Sequence, residues 1–375
     1  MRTTSIAIVG GGVVGCSIAY HVTAAGIGDV TLLERSTLAS GVTGICPGGI
    51  RQQFEGEADC QMARRSVRFY ERINDILEPE HPFFFERSGY LFLAESEAVL
   101  NSFRTNVAMQ NRLGIPSRLM DRAAIHDMLP HLMTDRIVGG SFCAEDGFLE
   151  DCHGVTHLMA SRARQRGARI VREEVRRIAQ VGRGWRITTD KSEIEAGQVV
   201  LAAGCDTVAL AAQAGVTLPI TPERRRLAFT EPCEQGLLPP LVVAFERGVA
   251  MKQLMNGVLY LGWLRETPSV DDLTFTERTL EAGATLLPLL SDVPVRRVLG
   301  GLYDYTPDRR PLLGPVPGAD GLFLAVGFSG HGFMIAPAVG EALAALMTGR
   351  DTDLPMHEFR VARFSTASSS EGLTI

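Results

Sequence analysis

The sequence predicts an α/β chain in which a parallel-sheet domain is interleaved with an antiparallel-sheet α+β domain. Three observations predict it. A strand, a glycine turn and a helix open the chain and lead into a second strand, a strand–glycine–helix segment returns near the end, and two aromatic, alternating stretches lie between. Strands joined by a helical crossover lie parallel, which fixes the sheet type of the first domain.

Ser5 to Val9 is an apolar run of strand length, Gly10 to Gly12 break it, and Val13, Val14, Ile18, Ala19 and Val22 recur at helical spacing. Gly26 to Gly28 close that helix, and Val30 to Glu34 form a strand ending in an acid, which completes a Rossmann-like βαβ unit. A glycine-rich loop, Ser40 to Gly49, precedes a helix carrying Met62, Val67, Tyr70, Ile73 and Leu77 on one face. The pattern is strand-like and aromatic from Phe83 to Leu93, helical from Glu95 to Leu113, and mixed from Arg118 to Asp151. Alternation of strand and helix resumes at Gly154, with a helix to Arg166, a strand over Ala168 to Val171, and a hairpin through Trp185. A buried strand follows from Gln198 and ends at Ala203 and Gly204. Leu218 to Val298 reads as antiparallel strands around one helix, Phe275 to Leu290, and from Thr306 the chain returns to strand, glycine turn and helix up to Met347. The nucleotide-type domain is therefore expected over 1–80, 150–217 and 302–365, the other domain over 81–149 and 218–301, and a tail over 366–375.

Composition bounds the function. The 375 residues suit two domains, and 45% hydrophobic with 21% charged residues is ordinary globular composition. Lys+Arg 37 against Asp+Glu 43 leaves a net charge of −6, which argues against a protein that binds nucleic acid by neutralising phosphates. Small molecules are the expected ligands. Lys191 and Lys252 are the only lysines. The seven cysteines are scattered without a CxxC pair, so a reducing compartment, the cytoplasm, is expected, with no metal site. The apolar start runs straight into glycines rather than a cleavage site, and no stretch has the length and apolarity of a membrane span.

Gly10-Gly11-Gly12-Val13-Val14-Gly15 satisfies G-x-G-x-x-G between a strand and a helix. Gly10 permits the turn, Gly12 lets backbone N–H groups approach a pyrophosphate at the positive helix end, and Gly15 lets the helix pack on the strand. Glu34 stands where an acid accepts hydrogen bonds from an adenosine ribose. NAD and FAD share this fingerprint.

Four segments together resemble the D-amino-acid oxidase superfamily of flavoproteins. They are the N-terminal motif, Ser40-Gly41-Val42-Thr43-Gly44 with Gly48-Gly49-Ile50-Arg51-Gln52-Gln53-Phe54, the strand Val199 to Gly204, and Thr306-Pro307-Asp308 with Gly327-Phe328-Ser329-Gly330-His331-Gly332-Phe333. Within it, the chain looks most like the branch of sarcosine oxidase, glycine oxidase and the β-subunits of heteromeric amine and opine dehydrogenases. The resemblance implies an FAD-dependent oxidoreductase acting on CH–NH or CH–NH2 donors. FAD would be met by Gly10, Gly12, Val13, Val14, Gly15, Glu34, Arg35, Ser40, Gly41, Thr43, Gly49, Val175, Ala203 and Gly204 on the adenosine side and the loop. Gly301, Gly327, Gly330, His331, Gly332, Phe333 and Met334 would complete the set at the flavin. Reduction places negative charge on the flavin N1–C2=O edge, and the helix that follows Gly330 would present bare N–H groups to it.

The resemblance assigns catalytic positions to Arg51, Tyr303 and His331. Arg51 aligns with a carboxylate-binding arginine, whose planar fork suits that group. Tyr303 and His331 would orient or help deprotonate the amine. Met334 replaces the lysine that sarcosine oxidases use to activate dioxygen, which weighs toward a dehydrogenase with an electron-accepting partner subunit. Gly301 and Ile45 replace the residues that link flavin covalently in relatives, so non-covalent FAD is expected, with Cys46 beside Ile45. Arg309 and Arg310 replace a small residue, either for a second substrate carboxylate or as a surface pair. The expected reaction is oxidation of an amino acid or N-substituted amino acid to an imine that hydrolyses. The alternatives are a flavin dehydrogenase of a 2-hydroxy acid, an FAD-bearing subunit of a hetero-oligomer, and an NAD-dependent dehydrogenase.

Overall fold

The computed structural model describes residues 1–267 and 269–364; the expected tail lies outside them. The chain begins β1 (Arg2–Val9), α1 (Val13–Ala24), β2 (Val30–Glu34), β3 (Gly49–Ile50), α2 (Glu57–Glu71), α3 (Ile73–Leu77) and β4 (Tyr90–Ala94). It continues α4 (Glu97–Arg112), β5 (Ser117–Met120), α5 (Arg122–Met128), β6 (Gly139–Cys143), β7 (Gly147–Phe148), α6 (Cys152–Gln165), β8 (Arg169–Arg172) and β9 (Val175–Val181). Then come β10 (Gly184–Thr189), β11 (Glu193–Leu201), α7 (Thr207–Gln213), β12 (Thr221–Thr230), β13 (Leu241–Ala244), β14 (Val249–Gln253) and β15 (Leu259–Trp263). The last elements are α8 (Asp272–Ala284), β16 (Val295–Tyr305), β17 (Leu312–Pro315), β18 (Leu322–Val326) and α9 (Gly332–Met347).

One sheet runs β17-β18-β11-β1-β2-β8, with the β9–β10 hairpin joined to β11. Its core ladder is parallel: β11, β1, β2, β8 and β18 point the same way, and β17 reverses against β18. Its strands are apolar on both faces because both are covered. Ile8 and Leu32 pack on one side with α1, α6 and α9, and Val9, Leu33 and Trp185 pack on the other. Helices α1 and α9 approach closely at Gly340, where an added Cβ would lie 2.3 Å from Ser17 Oγ. The Ser17 hydroxyl donates to Ala336 O at 2.8 Å across that seam. Pro337 lies inside α9 and has no N–H for the Phe333 carbonyl one turn back. The buried Tyr70 hydroxyl donates to that carbonyl instead, at 2.6 Å.

The second sheet runs β16-β12-β15-β14-β13-β4-β6-β5, antiparallel except for the parallel pair β13–β4. Alternation along β4 sends Leu91 and Leu93 to the face shared with α5, and Tyr90 and Phe92 to the face shared with Phe148 and Tyr260. The two-stranded ladder β3–β7 lies between the sheets in sequence and pairs Gly49 with Phe148 and Ile50 with Gly147.

Several elements differ from the sequence reading. The aromatic stretch from Phe83 becomes a strand only at Tyr90; before it, the Glu86–Phe148 bridge is the one sheet contact among the described residues. The helix expected over Phe275 to Leu290 runs instead from Asp272 to Ala284, because Asp271 caps its start and Pro288 disfavours helix in the residue before it. The helix bearing Met62 to Leu77 is split at Arg72. Strand β16 stays paired with β12 through Tyr305, so the second sheet continues past the expected border at 301/302. Among the described residues no helix is long and apolar enough to cross a membrane.

Candidate active site

Helices α1 and α9 both begin at the carboxyl end of the parallel strands, and no side chain of their N-cap residues, Gly12 and His331, caps them. Their first-turn N–H groups and positive dipole ends therefore face one crevice. The turn into α1 needs its glycines. Gly10 has φ +114°, and a Cβ there would lie 2.3 Å from Ala202 O, while a Cβ on Gly15 would lie 2.0 Å from Gly10 O. At Gly12, by contrast, a Cβ would meet only Thr43 Oγ1, at 3.3 Å. Backbone can approach a phosphate over Gly12, and the cradle fits a pyrophosphate. Thr43 Oγ1 accepts from Val13 N–H at 3.1 Å.

Glu34 ends β2 with Oε2 accepting from Gly11 N–H at 2.7 Å and Oε1 from Ser36 N–H at 2.8 Å. A carboxylate offers about four lone-pair sites, so both oxygens can still accept from a ribose. A cavity of about 490 Å³ opens beside it, lined by Ser36, Leu38, Ala160, Arg164 and Val171 among others. Arg35 turns outward to Asp206 at 2.9 Å. Ser40 and Gly41 are exposed. Val175 packs on the core that holds Val9 and Leu33. Ala203 and Gly204 follow β11, with Ala203 N–H donating to Thr207 Oγ1 at 3.1 Å. Gly327 N–H donates to the buried Asp304 carboxylate at 2.7 Å, which sets the turn between β18 and α9.

The two positions at which relatives link flavin lie side by side: a Cβ on Gly301 would stand 2.6 Å from Ile45 Cδ1. Neither side chain can form the link. Phe333 and Met334 are buried in the core shared with α1, so a thioether in packed surroundings stands where the resemblance places a lysine.

Arg51, His331 and Tyr303 meet at the mouth of α9. Arg51 follows β3 and is 7% exposed. Its Nη1 donates to Gln53 O and its Nη2 to His331 Nε2, the latter at 3.1 Å. The guanidinium carbon lies 3.9 Å from the Phe54 ring centre and 5.6 Å from that of Phe92. Burial lowers the Arg51 pKa, and the Asp146 carboxylate works the other way. A guanidinium has no acceptor, so His331 Nε2 accepts and its proton resides on Nδ1. The Tyr303 ring packs on Gly330, whose φ of +91° and missing Cβ make room; a Cβ would lie 2.3 Å from Tyr303 Cε2. Burial pushes the Tyr303 hydroxyl pKa up. Gly49 is likewise required by the Tyr90 hydroxyl, 1.9 Å from where its Cβ would be.

Two residues that the sequence reading did not single out lie against the β3–β7 ladder that leads into Arg51. Tyr260 on β15 stacks on Phe148 at 5.8 Å, and its buried hydroxyl has no hydrogen-bond partner among the described residues. Burial raises its pKa, and Phe148, on which it stacks, pairs with Gly49 two residues before Arg51. Asp146 is fully buried beneath Arg51. An aromatic in an alternating strand and an acid in a mixed segment carry no mark of their partners. Arg309 stacks on Tyr305 at 3.6 Å, and Arg310 pairs with Asp59 at 2.8 Å and Glu358 at 3.0 Å. Arg310 is thus held in ion pairs, whereas Arg309 Nη1 is buried with no hydrogen-bond partner among the described residues. Among the described residues no group of His, Cys, Asp and Glu is placed to hold a metal ion.

Residues 5–346 match the family described as FAD dependent oxidoreductase, DAO. The chain is 30% identical to the FAD-dependent oxidoreductase domain-containing protein 1 of Bos taurus, over 96% of this chain and 85% of that protein. It is 24% identical to the mitochondrial sarcosine dehydrogenase of Mus musculus over 96% of its own length, which is 41% of that longer protein. The L-proline dehydrogenase of P. horikoshii superposes with a TM-score of 0.91 at 30% identity, covering 97% of this chain and 98% of that one. With a glycine cradle, a second uncapped helix end and a family match across nearly all of its length, the chain belongs to the DAO family of FAD-dependent oxidoreductases.

Proposed function

We propose that this chain oxidises the carbon–nitrogen bond of an amino acid or N-substituted amino acid, of the sarcosine, dimethylglycine, proline or opine type, using non-covalent FAD. One observation carries the reading: a buried guanidinium stacked on Phe54 and touching His331 at the mouth of an uncapped helix. The Gly10–Gly15 turn, Glu34, Thr43 and the first turn of α9 would hold the cofactor, which supplies the two-electron acceptor when bound. Arg51 would hold the substrate carboxylate through two N–H groups, with the phenylalanines excluding water from the pair. Tyr303 would orient the amine.

The histidine bears on the choice between substrate classes. An alcohol must lose its proton to a base during oxidation, but His331 Nε2 already accepts from Arg51 and Nδ1 carries the proton. A neutral amine needs no such base, which favours amines over 2-hydroxy acids. The imine product hydrolyses in water. Sarcosine dehydrogenase and L-proline dehydrogenase, by their names, act on secondary amines that bear a carboxylate. The uncharged, buried Met334 supports transfer of electrons to a partner protein or quinone rather than to dioxygen.

The test is the visible spectrum of the purified protein under anaerobic conditions with sarcosine, dimethylglycine, proline and an opine added in turn. Bleaching of a yellow protein by one of them, with slow return of colour in air, is expected. Bleaching by a 2-hydroxy acid alone overturns the proposal, and rapid recolouring in air overturns the dehydrogenase reading.

A further inference from the structure

Beneath Arg51 lies a carboxylate to which the reading above gives no part. The ladder β3–β7 pairs Ile50 with Gly147, and Arg51 and Asp146 are the residues that flank that pair. Asp146 has no exposed surface. Its Oδ1 accepts from Gln52 N–H at 2.8 Å and its Oδ2 from Gln53 Nε2 at 3.0 Å. Gln53 is held at two further points: Nε2 donates to Tyr90 O at 3.0 Å, and Oε1 accepts from Ser141 Oγ at 2.7 Å. The carbonyl of the same Gln53 accepts from Arg51 Nη1. Asp146 therefore clamps the two residues after Arg51, and the guanidinium rests on the clamped carbonyl.

We propose that Asp146 is the positioning residue of the carboxylate-binding site, fixing the Arg51 guanidinium through Gln53 and competing with the bound carboxylate for its charge. The proposal rests on the reading of Arg51 as the substrate anchor. A buried anion beside a buried cation neutralises part of the field that would attract a second anion. While Asp146 is ionised, a substrate carboxylate meets a partly satisfied Arg51; once Asp146 is protonated, it meets the full charge.

That exchange falls within an accessible pH range. Burial pushes the Asp146 pKa up to about 7, against the hydrogen bonds from Gln53 and Gln52 and the charge of Arg51. The titratable groups facing it are Arg51 after β3, Cys60 on α2, Tyr90 on β4 and Cys143 at the end of β6, with Glu145 beside it in sequence. A bound carboxylate adds negative charge and raises the Asp146 pKa further, so binding takes up a proton near neutrality and weakens as pH rises. A shift of about one pKa unit makes the dissociation constant roughly tenfold larger well above the transition than well below it.

The experiment uses the FAD-loaded protein and 2-furoate, a carboxylate with no amine to titrate. Flavin absorbance gives its dissociation constant from pH 5.5 to 8.5, and calorimetry in phosphate and Tris gives the protons taken up. The expected result is a roughly tenfold weakening across the range with proton uptake near pH 7, and in Asp146→Asn a flat profile without uptake. A flat wild-type profile overturns the proposal, and so does an Asp146→Asn profile that titrates like wild type. If that variant does not fold, His331→Gln decides, since His331 also touches Arg51: proton uptake and weakening retained there stay with Asp146, and their loss overturns the proposal. Arg51→Gln separates the two readings: unchanged 2-furoate affinity in that variant removes Arg51 as the anchor, whereas lost affinity with a flat wild-type profile removes only Asp146.

Discussion

Helices α4, α5, α6 and α8 close their own N-termini with a side chain, whereas α1 and α9, at the carboxyl end of the parallel strands, do not, and neither do α2, α3 and α7 elsewhere. Ser96, Asp121, Asp151 and Asp271 each accept from the backbone N–H three residues on, at 3.4, 2.8, 2.7 and 2.7 Å. Gly12 and His331 leave the same positions open. A capped helix end is a structural joint, and an open one that faces the crevice at the ends of a parallel sheet is a place for an anion. The α1 and α9 ends also differ from each other. The α1 end is built within one short stretch, from glycines whose missing Cβ atoms shape the backbone. The α9 end is furnished from afar, by Arg51 after β3 and Tyr303 on β16.

Four experiments probe this contrast. Arg51→Gln removes the buried cation at the α9 mouth and is expected to lower kcat/KM for a carboxylate-bearing amine by about a thousandfold, equivalent to about 4 kcal/mol. An amine without a carboxylate would lose little, and equal losses on both would show a structural role. Gly12→Asp gives α1 an acid cap of its own. Its FAD dissociation constant should rise on the order of a hundredfold, while the apoprotein gains about 1 kcal/mol in stability. Titration of apoprotein with FAD, beside urea unfolding, reads both, and unchanged FAD affinity would break the open-end argument. Tyr260→Phe deletes the unpartnered hydroxyl; a drop of about tenfold in kcat/KM with unchanged or slightly higher Tm is expected. A large fall in Tm would mean the hydroxyl serves the fold. Asp271→Ala removes a cap remote from the site and should lower Tm slightly, on the order of 1–2 °C, with FAD retention and turnover intact.

What could be read from the sequence follows the same division. The unit β1–α1–β2 was legible because its information is local: apolar runs of strand and helix length, glycines between them, and an acid at the end. Arg51, Tyr303 and His331 were named through resemblance, and the fold brings Arg51 and His331 into contact and sets Tyr303 against Gly330. Asp146 and Tyr260 were invisible, since their meaning lies in ladder register and in a hydroxyl with no partner, and both are properties of distant pairs. The length of α8 was misread because apolar residues after Ala284 keep a helical rhythm into a 3-10 turn that Pro288 begins. The antiparallel character of the second sheet was legible, but its parallel β13–β4 pair joins strands from two separate insertions.

The interleaving of strands also sets a schedule for biosynthesis. Strand β11 is the middle of the first sheet, with β1 on one side and β18 on the other, and α1 packs along α9. A nascent chain on the ribosome therefore carries β1, α1 and β2 through the emergence of nearly all the rest before β18 and α9 arrive to cover them. Closure of this domain is a late, long-range event, of the kind that folds slowly and keeps apolar surface open to chaperones meanwhile. On the proposed reading, in which both of these helix ends hold the cofactor, flavin capture belongs after that closure.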